Sequence, residues 1–173
     1  KWGRQGGGDG QFNAPWGVAV DNKRGYVYVV DSANFRVQKF DRSGEFVMVW
    51  GSFGNADGQF YFARGIAVDE NDGAVYVVDM GNHRIQKFDT STNFIPQLLG
   101  KWGTKGQEPG QLWNPWGIAC DRDGEREHPH RSSVHGSHLL GRRRGRMQAT
   151  SPHVIASSPF HRPAHAPGPG YLR

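Results

Sequence analysis

A single histidine, His83, stands among the first 124 residues, in the stretch Asn82-His83-Arg84. An imidazole is an ordinary metal ligand. Catalytic zinc, however, takes about three protein ligands around one ion. The matching place 48 residues earlier, in Asn34-Phe35-Arg36, holds a phenylalanine. The other seven histidines all fall after residue 124. There His128-Pro129-His130 and the pair His135/His138 lack the cysteine or carboxylate partners and the fixed scaffold of a zinc site. Cys120 is the one cysteine, so no internal disulfide can form. Gly6-Gly7-Gly8 precedes no strand–helix unit that would cradle a phosphate. The serines of residues 1–124 sit in turn sequences with no histidine partner motif. No catalytic residue, metal set or cofactor is therefore assigned, and a non-enzymatic role is expected.

Charge is divided unevenly along the chain. The formal net charge over 173 residues is +5. Residues 125–173 hold eight Arg, no Lys and two Glu, a net of +6, whereas residues 1–124 carry 13 basic and 14 acidic groups, a net of −1. A basic chain ordinarily points to nucleic acid or an anionic membrane surface. Here that inference applies to the tail alone. No apolar run approaches the ~20 residues needed to cross a bilayer, so no membrane partner is expected.

The elements that must position any site come from repetition. VYVVDSANFRVQKFD at residues 27–41 returns as VYVVDMGNHRIQKFD at residues 75–89. Three further blocks align: DGQFNAPWGVAVD (9–21), DGQFYFARGIAVD (57–69) and PGQLWNPWGIACD (109–121). Their offsets are 48 and 52 residues, and the extra four fall where DTSTNFIPQLLGKWG replaces DRSGEFVMVWG. Length variation confined to one connection is what a repeated structural unit permits, and a period of ~40–50 residues points to a solenoid or propeller. Within a unit, GVAVD, YVYVV, FRVQKF and EFVMVW are short, β-branched and aromatic, and bounded by Asp, Asn, Ser and Gly. Four such strands, A to D, joined by short turns make an antiparallel meander. YVYVV is apolar at successive positions, so both of its faces should be covered, as in a propeller blade.

The sub-motifs PWGVAVD, VYVVD, NFRVQKFD and a closing WG, followed by ARGIAVD, VYVVD and NHRIQKFD, resemble NHL repeats. The resemblance covers residues 9–124. It implies an all-β fold, a partial β-propeller of four-stranded antiparallel blades, commonly a protein- or RNA-binding platform of about six blades. Blades are expected at about 13–53 and 61–103, with the first strand of a third at 116–121, in a module spanning residues 1–124. NHL-like propellers also include an amidating lyase whose zinc-binding histidines gather around the central channel, and His83 resembles one such slot. With Phe35 in the equivalent slot, a lyase or lactonase-like enzyme fragment is the third reading, behind protein or peptide binding and RNA binding.

The meander decides which loops share a face. The D-to-A and B-to-C connections emerge together, gathering Phe12, Trp16, Phe60, Arg64, Leu112 and Trp116 with Phe35, Arg36, His83 and Arg84. The opposite face carries generic acidic turns, so the first face is the expected partner surface. Asp31, Asn34, Asp79 and Asn82 recur identically and are expected to build turns; Arg36 and Arg84 should lie over a neighbouring Asp or carbonyl. Trp50 and Trp102 should pack on outer strands. Trp16, Arg64 and Trp116 occupy one repeat position with different residues, so packing does not dictate that position.

After Gly124 the pattern demands a second strand, and a basic, His/Pro/Arg-rich tail of low order follows instead. Three readings compete for residues 125–173: an out-of-frame translation, a disordered linker, or a nucleic-acid arm built on GRRRGR at residues 141–146. The abrupt change inside a blade favours the first. Two blades alone leave edges and faces uncovered, so missing blades or self-association should be needed to cover them.

Overall fold

The computed structural model describes residues 2–92, 94–120 and the strand Val154–Ser157. The strands in chain order are β1 (Arg4–Gln5), β2 (Gln11–Phe12), β3 (Pro15–Asp21), β4 (Tyr26–Asp31), β5 (Arg36–Asp41), β6 (Phe46–Trp50), β7 (Ala63–Val68), β8 (Val75–Asp79), β9 (Arg84–Asp89), β10 (Gln97–Trp102), β11 (Gly117–Cys120) and β12 (Val154–Ser157). Two sheets follow the meander expected of a blade, β3-β4-β5-β6 and β7-β8-β9-β10, antiparallel throughout. Their turns form for local reasons. Asp41 Oδ1 accepts hydrogen bonds from the Ser43 hydroxyl at 2.6 Å and from the Ser43 and Glu45 amides at 2.9 and 3.0 Å. Gly44 then takes a φ of 92°, which glycine adopts without strain.

The sheets stack face to face, and the core lies between them. Tyr28, Val30, Val37, Met48 and Trp50 of the first sheet meet Phe60, Ala63, Ile66, Val75, Val77 and Phe88 of the second and its leading loop. Trp50 lies 5.8 Å from the Phe88 ring, and Phe60 lies 6.0 Å from it. The arrangement recurs one blade earlier, where Trp2 lies 4.6 Å and Phe12 5.8 Å from Phe40. Lys39 is buried at the same junction; its Nζ donates to the Thr90 carbonyl at 2.9 Å and sits 3.7 Å above the Tyr26 ring. Burial pushes its ammonium pKa down.

Leading strands pack against one another, β3 on β7 and β7 on β11. The contact is backbone on backbone. A Cβ on Gly17 would lie 2.3 Å from the Arg64 carbonyl oxygen, and one on Gly65 would lie 2.5 Å from that of Trp116. This close approach is the physical reason that the first PWG and ARG end in glycine.

The outer faces are less complete. Val18 and Val20 of β3 are exposed, as are Leu99 and Trp102 of β10. Trp50 is buried between blades, as expected of packing, whereas Trp102 is exposed and meets Tyr76 edge to face at 5.9 Å. The expectations for residues 125–173 lie outside the described residues, with one exception. Val154–Ser157 pairs antiparallel with β11, from Gly117↔Ser157 to Cys120↔Val154, in the place a second blade strand would take.

A candidate partner-binding face

Each described B-to-C connection is a single 3-10 turn, Ser32–Asn34 or Met80–Asn82, ended by a left-handed residue, Phe35 (φ 54°) or His83 (φ 55°). Bulky side chains seldom take this conformation, at a cost of about 1–2 kcal/mol. What holds the chain there is a bracket built from Asp, Asn, Arg and Gln. In the second blade Asp79 accepts from the Tyr61 amide at 2.8 Å, Asn82 Nδ2 at 2.9 Å, Arg84 Nε at 2.8 Å and Gln86 Nε2 at 3.3 Å. Asn82 also donates to the Gly54 carbonyl, Arg84 to those of Asn55, Ala56 and Gln59, and Gln86 to that of Gln59. Burial pushes the Asp79 carboxyl pKa up, and these donors pull against it.

The first blade repeats the bracket. Asp31 accepts from the Asn13 amide, Asn34, Arg36 and Gln38. Asn34 reaches the Gly6 carbonyl, and Arg36 those of Gly8 and Gln11. The glycine run is thus a loop pinned from below. Arg36 and Arg84, placed on the partner face from sequence, point their guanidiniums inward to the bracket. Phe60, gathered on the same face, is instead fully buried core.

The bracket leaves other side chains outward. Phe35 meets Phe53 at 5.0 Å and Phe62 at 6.0 Å; Tyr61 meets Phe53 at 5.6 Å and Phe62 at 4.7 Å. Phe53, Tyr61 and Phe62 are all exposed, Phe53 by 62%. At the next junction the same positions hold a more polar version. His83 lies 5.9 Å from Trp113, Lys105 Nζ lies 5.0 Å from that ring, and His83 Nδ1 accepts the Asn114 amide at 3.1 Å. Burial lowers the His83 pKa first, Lys105 lowers it further, and Asp79 opposes both. An Nδ1 accepting that amide is committed to holding the loop.

Trp16, Arg64 and Trp116 do come together, across three leading strands. The Arg64 guanidinium carbon lies 3.7 Å from the Trp16 ring centre and 5.3 Å from that of Trp116. The two indoles meet edge to face at 5.7 Å. Trp16 is 53% exposed. The sequence reading missed Phe53, Tyr61, Phe62, Lys105 and Trp113. Their signal was available: the repeat aligns Gln5, Phe53 and Lys105, then Asn13, Tyr61 and Trp113, then Ala14, Phe62 and Asn114, three positions that never hold one residue type twice.

The opposite face differs in kind. Its turns bind each other, Asn22 to Glu70 at 3.0 Å and Arg24 to the Glu70 and Asn71 carbonyls at 3.4 and 3.3 Å. Two open depressions of about 380 and 370 Å³ lie there, lined by such residues as Asn22, Lys23 and Glu70 or Arg24, Lys39 and Thr90. Among the described residues no three His, Cys, Asp or Glu side chains gather as a metal site, and no helix is long and apolar enough to cross a membrane.

Stacked four-stranded meanders with their leading strands side by side define a β-propeller module, all-β and built by repetition. The NHL repeat model matches residues 12–40 and 60–88, so the chain carries NHL repeats at these two places. Protein lin-41 of Caenorhabditis elegans is 50% identical over 46 residues, 27% of this chain and 4% of that protein. E3 ubiquitin-protein ligase TRIM71 of Rattus norvegicus is 47% identical over 45 residues, 26% of this chain and 5% of that protein. The matched stretches are thus a small part of these curated relatives. Hydrazine synthase of Kuenenia stuttgartiensis superposes with a TM-score of 0.50 at 13% identity, over 65% of this chain and 28% of that one, a likeness of fold alone.

Proposed function

We propose that this chain is a non-catalytic NHL-repeat propeller module that binds a protein or peptide through the face made by its D-to-A and B-to-C loops. The observation that carries the reading is the aromatic cluster of exposed Phe53, Tyr61 and Phe62 around half-buried Phe35. Aromatic side chains and arginine dominate the energetics of protein interfaces, and contiguous exposed apolar surface marks interaction sites. Among the described residues none of the four belongs to either core cluster, so core packing does not account for their aromaticity.

RNA is the competing reading, since aromatic faces also stack bases. RNA affinity further needs cations to neutralise phosphates. Arg36 and Arg84 are already bound to carboxylates and loop carbonyls, and residues 1–124 carry a net charge of −1.

Panning a phage-displayed dodecapeptide library on the immobilised chain tests the proposal. Enrichment of peptides that bind the chain, lost in a Phe53→Ser/Tyr61→Ser variant of unchanged stability, is the expected result. Enrichment confined to a random single-stranded RNA pool would overturn it.

A further inference from the structure

We infer that Arg64, clasped between Trp16 and Trp116, is the receptor for a carboxylate carried by the peptide partner; the inference rests on the protein-binding reading above. Three leading strands bring these residues together because Gly17 and Gly65 let the backbones meet. Arg24, Arg36 and Arg84 each pair with an aspartate, at 3.2, 2.8 and 2.8 Å. No such partner stands beside Arg64 among the described residues. Its Nε and Nη1 are buried without a hydrogen-bond acceptor, and so is the Trp116 Nε1.

The site therefore offers donors and no acceptors. A guanidinium keeps its charge at neutral pH, and a partly desolvated cation without a counter-charge is unfavourable until an anion arrives. The indoles wall the guanidinium with apolar surface, which leaves Nη2, outside the buried pair, as the donor a partner meets. A carboxylate matches a single guanidinium in charge and geometry. A polyphosphate backbone would call for a row of free cations, whereas between these indoles the described residues place the Arg64 guanidinium.

The test uses the whole chain and a positional-scanning library of N-acetylated, C-amidated octapeptides. Each position is held in turn as Asp, Glu, Asn or Gln, and a parallel set ends in a free carboxylate. Binding is read by fluorescence polarisation. An acid-held pool should bind about tenfold tighter than its amide counterpart. Arg64→Gln should erase that difference, and Arg64→Lys should retain part of it. Lys23→Gln, on the opposite face, should leave it intact. A gain confined to the free-carboxylate set, lost in Arg64→Gln, supports the same receptor and identifies a C-terminal ligand. Equal binding of acid and amide pools, or a preference that survives Arg64→Gln, overturns the inference while peptide binding itself stands. No peptide binding by any pool overturns both. Far-UV circular dichroism separates loss of binding from loss of fold, and Arg64→Lys provides the test should Arg64→Gln not fold.

Discussion

Gly17→Ala places one methyl group where the first two blades are closest. Gly17 is outside the left-handed backbone region, so alanine's stiffness alone should stabilise the chain by about 0.4–1 kcal/mol. The packing argues the opposite. The new Cβ would lie 2.3 Å from the Arg64 carbonyl oxygen, 3.1 Å from Ile66 Cγ2 and 3.3 Å from the Ile66 amide nitrogen. A backbone carbonyl cannot rotate aside as a side chain does, so β3 and β7 must part by roughly an ångström to restore ordinary contact. Overpacking of this kind costs about 1–3 kcal/mol, leaving a net loss of about 1–2 kcal/mol. With a urea dependence of about 1–3 kcal/mol per molar, the unfolding midpoint should fall by roughly 1 M. Gly7→Ala is the control, since a Cβ there meets nothing within 4 Å, and its midpoint should hold or rise. Urea unfolding followed by circular dichroism decides the matter, and tryptophan fluorescence reports whether Trp16 and Arg64 have separated. A Gly17→Ala midpoint at or above the parent would refute the close-approach argument.

Asp79→Ala strands the buried Arg84 guanidinium together with the Tyr61, Asn82 and Gln86 donors, and should cost about 3–5 kcal/mol by urea unfolding. Asp31→Ala should cost the same order, and Asp79→Ala/Arg84→Met should recover part of the loss. Tyr28 is buried and shares a 2.9 Å hydrogen bond with Thr90 Oγ1, and burial pushes its phenol up to about 12. The unfolded chain loses that proton near pH 10 while the fold retains it. The Tyr28 contribution to stability should thus be level below about pH 10 and fall by roughly 3 kcal/mol at most through pH 12, a slope that Tyr28→Phe removes. The exposed Val18, Val20, Leu99 and Trp102 should make sedimentation mass rise with concentration, and Val20→Glu should reduce the rise. A monodisperse parent chain with a sharp melt would count against uncovered blade faces.

The strands were legible because β-branched and aromatic runs stand between turn-formers. VYVVD of β8, apolar at successive positions, is buried along its whole length, as a strand covered on both sides must be. Gln38 and Gln86 were not legible. A glutamine inside FRVQKF or HRIQKF reads as an outward residue, yet both are completely buried, because each meets a loop from 27 residues earlier. The left-handed Phe35 and His83 also escape local rules, which favour Gly or Asn there. Residue variation at one repeat position did mark Trp16, Arg64 and Trp116, and the three converge. The same test applied to residues 53, 61 and 62 would have found the aromatic cluster. Pairing of β11 with a segment more than thirty residues away lay beyond any local pattern.

The Asp-Asn-Arg-Gln bracket has a consequence for how such a surface changes. Every loop atom that Asn82, Arg84 and Gln86 grip between Gly54 and Gln59 is a main-chain atom, as is the Tyr61 amide held by Asp79. The grip is therefore indifferent to what the loop's own side chains are. A copied blade can exchange Phe, Tyr and Phe for Lys, Trp and Asn and stand in the same pose, re-addressed to a different visitor without rebuilding the frame.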